Sequence, residues 1–70
     1  MILKNVKKVR ITIFSGIVKG EGGIQKPYYT IKEFQNAKEV VIHPEWVKVE
    51  LEDEIYVYNK KPIMEVVIKK

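Results

Sequence analysis

Residues 46–68 read WVKVELEDEIYVYNKKPIMEVVI, and the alternation within this stretch decides the fold. Val47, Val49 and Leu51 alternate with Trp46, Lys48 and Glu50, the period of a half-buried strand. Glu52-Asp53-Glu54 breaks the pattern with an acidic loop, and Ile55-Tyr56-Val57-Tyr58 resumes it. Asn59-Lys60-Lys61-Pro62 then supplies turn residues before a last apolar run, Ile63 to Ile68. A three-residue loop at 52–54 sets Leu51 opposite Ile55, Val49 opposite Val57 and Lys48 opposite Tyr58. Pairing Tyr58 with Ile63 across the second turn sets Val57 opposite Met64 and Ile55 opposite Val66. Both turns then give one inner face of Val47, Val49, Leu51, Ile55, Val57, Met64, Val66 and Ile68. A slip of one residue would send a strand's apolar set to the wrong side. The expectation is a three-stranded meander whose other face carries Trp46, Lys48, Glu50, Tyr56, Tyr58, Ile63, Glu65 and Val67. That face is too aromatic for plain solvent.

Upstream, Val9, Ile11 and Ile13 alternate with Lys8, Arg10 and Thr12, so residues 6–14 read as a strand with a basic outer side. Ser15-Gly16 marks a bulge or bend, and Lys19-Gly20-Glu21-Gly22-Gly23 a hairpin tip. Ile24 to Tyr29 is a return strand in which Pro27, lacking an N–H, demands an edge. Thr30-Ile31-Lys32-Glu33 matches a capping box and predicts a short helix near residues 31–37, held to the sheet by Phe34. Val40-Val41-Ile42 reads as a short strand covered on both faces, turned by His43-Pro44-Glu45. The fold class expected is mainly β, a small α+β domain. It is an antiparallel meander of about five to six short strands, curled into a small, partly open barrel, with one short helix. An open sheet with the helix on one face is the alternative.

Seventy residues without cysteine make a single small domain, 1–70, with no disulfide framework and no thiolate metal site. Lysine and glutamate dominate the polar residues, a balance found in thermostable proteins. The net charge of +4 is uneven: +5 over residues 1–30, −4 over 31–54 and +3 over 55–70. A basic balance favours polyanionic partners. Met1-Ile2-Leu3-Lys4 lacks the apolar core of a signal peptide, and no apolar run approaches a membrane span. A cytoplasmic protein is expected.

Chemistry finds little to build on. The glycine-rich loop lacks the Gly-Lys-Ser/Thr that leads a phosphate-binding loop into a helix. His43 is the only histidine, Ser15 the only serine, and Glu50, Glu52, Asp53 and Glu54 read as a solvated acidic turn. No catalytic residue, metal, cofactor or small-molecule substrate is expected, and no enzyme.

What remains is the mixed face of the meander. Trp46, Tyr56 and Tyr58 edged by Lys48, Lys60 and Lys61 would form a stacking platform with cations around it, the surface that single-stranded nucleic acid binds. The expected function is a small basic nucleic-acid-binding protein. Lys4, Lys7, Lys8, Arg10, Lys48, Lys60 and Lys61 would contact phosphates, and Trp46 and Tyr58 would stack or wedge. Tyr28 and Tyr29 beside Lys26 would extend the platform. The alternative is a non-enzymatic interaction module, a homodimer or a binder of another protein, using the same Trp/Tyr face. A third reading makes that face a second core.

Overall fold

The computed structural model describes all 70 residues. Two long strands, β1 (Ile2–Lys19) and β2 (Gln25–Ile42), form a hairpin, followed by β3 (Trp46–Glu50), β4 (Ile55–Asn59) and β5 (Ile63–Lys69). They make one antiparallel sheet in the order β4-β3-β2-β1-β5. Apart from one short 3₁₀ turn at the hairpin tip, Glu21–Gly23, there is no helix.

The connection between β4 and β5 dictates the shape. These are the two edge strands, yet three residues join them. Asn59 pairs with Trp46, just past the Ile42–Val47 pair, whereas Ile63 pairs with Ile13, which faces Thr30. On a straight hairpin, Ile42 and Thr30 would lie about 40 Å apart along the strand. The Lys60–Pro62 link spans at most about 14 Å. The hairpin must therefore fold back on itself.

It does so at a corner around Val6 and Ala37. Asn5 and Asn36 adopt φ of 54° and 56°, the left-handed region, in mid-strand. Asparagine tolerates this conformation better than any residue but glycine. Through the corner the alternation of faces breaks twice in each strand, before and after Val6 and Ala37. Leu3 and Val9 sit on the core side with Val6 between them, which a regular strand would forbid. Because both strands carry the same irregularity, the pairing keeps its register through the corner, from Leu3–Val40 to Val6–Ala37 to Val9–Phe34. Val6 and Ala37 are each 1% exposed. Corners of this kind let one sheet turn over its own core.

The bend brings Phe34 of β2 onto Tyr56 and Tyr58 of β4, with ring centroids 4.9 and 6.3 Å apart. Val6, Val9, Ile11, Ala37, Val40, Val47 and Val49 are fully buried, with Ile13, Phe34, Tyr58, Val66 and Ile68 packed around them. The link is pinned by Lys60 N–H donating to the Glu45 carbonyl (2.9 Å) and Phe14 N–H to that of Pro62 (2.8 Å). The sheet curls but does not close.

Three expectations are corrected. First, residues 31–37 are strand. Thr12–Ile31, Val9–Phe34 and Val6–Ala37 are cross-strand pairs, and a ladder along the whole hairpin outweighs a capping box that could seed only two helical turns. Second, the connection between β3 and β4 turns tightly over two residues, Glu52-Asp53, within Leu51–Glu54, with Leu51 N–H bonded to the Glu54 carbonyl. Glu50 therefore faces Ile55 and Val49 faces Tyr56. That one-residue slip turns Tyr56 and Tyr58 inward and leaves Ile55 and Val57 out, 62% and 61% exposed. Third, β5 pairs with β1 rather than β4, so the terminal stretch is not a meander. The bulge after Phe14, the glycine tip and the turn at Pro44-Glu45 stand where expected.

Beyond the β5 ladder, residues 16–19 and 25–28 pair only with each other. They project as a two-stranded arm, and the molecule measures 47 × 22 × 20 Å. Pro27 belongs to this arm, facing Ile17, where no third strand needs its missing donor.

Candidate nucleic-acid interface

The aromatic platform does not assemble. Trp46 pairs with Asn59 and Tyr58 with Val47, so the two rings project from opposite faces of the sheet. Tyr58 is half-buried against the core, and removal from water pushes its phenol above the ordinary tyrosine range of 10.0. Trp46 stacks on His43, rings 4.6 Å apart and 6° from parallel, and the imidazole Nδ1 accepts from the Glu45 N–H at 3.1 Å. Lys48 lies between Glu39 (3.4 Å) and Glu50 (3.9 Å). Lys60 and Lys61 sit in the β4–β5 link, at the end of the sheet remote from the corner.

The N-terminal cations fare differently. Leu3, Val6 and Val9 face the core, so Lys4, Lys7, Lys8 and Arg10 all stand on the outside of β1, and all are exposed. The same irregularity in β2 puts Lys38 outside, beside Ala37. Asn5, Lys7, Asn36 and Lys38 surround a shallow concavity of about 180 Å³, with Val6 and Ala37 completing it. Lys8 is paired to Glu33 at 3.2 Å, and the nearby Glu39 is held by Lys48. Lys4, Lys7, Arg10 and Lys38 have no carboxylate within ion-pair reach. The acids around the corner are spent on other cations, leaving it net positive.

Sequence reasoning missed Lys38, Asn5 and Asn36. The signal was present as a repeated tripeptide, Asn5-Val6-Lys7 and Asn36-Ala37-Lys38: Asn for the turn of the backbone, a small apolar residue for the inside of the corner, a lysine outside. The concavity is smaller than a drug-sized ligand site, usually about 300–1,000 Å³. No group of three or more His, Cys, Asp or Glu side chains is placed to hold a metal. No family model matches the sequence, and no curated protein or solved structure matches it either.

Proposed function

We propose that this is a small, non-enzymatic nucleic-acid-binding protein that grips the phosphate backbone with its outer corner. The observation that carries the reading is a set of four cations without a carboxylate partner: Lys7 and Lys38 line the Asn5/Asn36 concavity, and Lys4 and Arg10 stand exposed on the same strand β1. Lysine and arginine contacts to phosphate position a protein without reading sequence. Asparagine amides add neutral donors to the same oxygens. With Tyr58 turned into the core and Trp46 stacked on His43, neither expected stacking residue stands beside these cations. The reading is therefore double-stranded nucleic acid held by its backbone, not a single strand held by its bases.

Titration of labelled duplexes of unrelated sequence over a range of salt concentrations tests it. Neutralising four phosphates gives a slope of log K against log salt of about −3.6. Equal affinity across sequences is expected. Binding that ignores salt, or that prefers single strands, contradicts the reading.

A further inference from the structure

We infer that the hairpin arm is a dimerisation element, and that its occupant is the arm of a second copy packed against it about a two-fold axis. This goes beyond the nucleic-acid reading and does not depend on it.

Three observations converge. The first is area. A folded monomer of 8.2 kDa presents about 4,500 Å² to solvent, whereas this chain presents 5328 Å². The excess of about 800 Å² is what one partner loses in an interface of standard size.

The second is where the apolar surface lies. On the arm's outer side, three successive cross-strand pairs, Thr12–Ile31, Phe14–Tyr29 and Ile17–Pro27, form a strip without a charge. Ile17 and Ile31 are 63% and 61% exposed, Tyr29 44% and Phe14 37%. The Phe14 and Tyr29 rings meet edge to face at 6.0 Å, presenting a fixed aromatic surface. Monomers seldom leave such a strip bare. Phe14 also walls an open hollow of about 600 Å³ with Glu45, Asn59, Lys61 and Pro62, which gives a partner's side chain somewhere to go.

The third is charge. The strip ends in opposite charges: Lys19, facing Gln25, at the tip, and Glu65, facing Thr12, at the base. Neither makes an ion pair within the chain. A two-fold axis between the Phe14 and Ile17 rows sets Phe14 of each copy against Ile17 of the other. The same operation carries the Lys19 row of one onto the Thr12 row of the other, so that each Lys19 meets a Glu65. An isologous contact must be self-complementary in this way.

Sedimentation equilibrium of the full chain, without nucleic acid, tests the inference, with far-UV circular dichroism confirming that each variant is folded. The wild type is expected at twice 8.2 kDa. Ile17→Lys should give a folded monomer. Lys19→Glu and Glu65→Lys should each weaken the dimer at least tenfold by opposing like charges at both ends, and the two together should restore it. A wild type that stays at 8.2 kDa up to millimolar concentration overturns the dimer. A dimer indifferent to Ile17→Lys overturns the arm as its site. Failure of the double charge reversal to rescue overturns the two-fold register.

Discussion

At the scale of single residues, two asparagines do the most to shape this protein. Asn36 holds φ of 56° within a strand, where a β-branched side chain would clash with its own backbone. Asn36→Val should cost about 1–3 kcal/mol in urea unfolding, while Asn36→Gly should cost far less. Equal losses would mean that the corner is not set by backbone strain. The inward tyrosines offer a second check. Tyr56 donates to the Glu54 carboxylate, and that bond, with some desolvation and the neighbouring negative charges, raises its phenol above 10.0. Burial does the same for Tyr58. A folded-state value above the unfolded one means stability fully present below pH 10 and lost as pH rises through the folded value. Ultraviolet titration should show late-ionising phenols that Tyr56→Phe and Tyr58→Phe remove, and Glu54→Gln should bring Tyr56 back down. The sequence showed the alternation at Ile55–Tyr58 but not which half of it faces in. Loops of two and of three residues both suit Glu52–Glu54, and the choice was made about twenty residues upstream, where the Phe34 ring meets both Tyr56 and Tyr58.

At the scale of elements, the long hairpin divides at the β5 ladder into a part that builds the core and an arm that does not. Every residue of the fully buried core lies outside the arm. Measured against the Ile17→Lys monomer, replacing Ser15–Tyr28 by Asn-Gly, a pair that joins Phe14 to Tyr29 in a tight hairpin turn, should therefore shift stability by no more than about 1 kcal/mol. In native-state hydrogen exchange, amides of residues 16–28 should exchange well before those of Val9, Ile11 and Val40. Collapse of the fold on shortening would contradict the division. The bulge, the glycine tip and the edge position of Pro27 were legible because they rest on local backbone chemistry. The helix at 31–37 was misread for the same reason: Thr30 and Glu33 are a sound local signal, overridden by a strand pairing that runs eighteen residues on either side of the tip.

At the scale of the whole molecule, a chain of this size buries only seven residues completely, and its stability rests on a sheet folded over rather than a thick core. The β4–β5 link makes the bend obligatory, and the bend gathers the cations of β1 and β2 onto one outer surface. Lys4, Lys7, Lys8 and Arg10 could be picked from the sequence as an outward basic row. Lys38 could not, because its place depends on a corner that only pairing across the hairpin reveals. Trp46 and Tyr58 were chosen on an aromatic face that the register then divided. The charge complement at Lys19 and Glu65 was equally hidden, since β5 had to find β1 at a sequence separation of about fifty residues or more.

The most direct test compares two double variants of equal charge in duplex binding: Lys7→Gln with Lys38→Gln at the corner, and Lys60→Gln with Lys61→Gln at the opposite end. The corner pair should flatten the salt slope by about 2 and weaken binding to every sequence alike, while the other pair leaves the slope unchanged. If the two pairs behave identically, the charge of the chain and not its corner holds the nucleic acid, and the proposed interface is wrong.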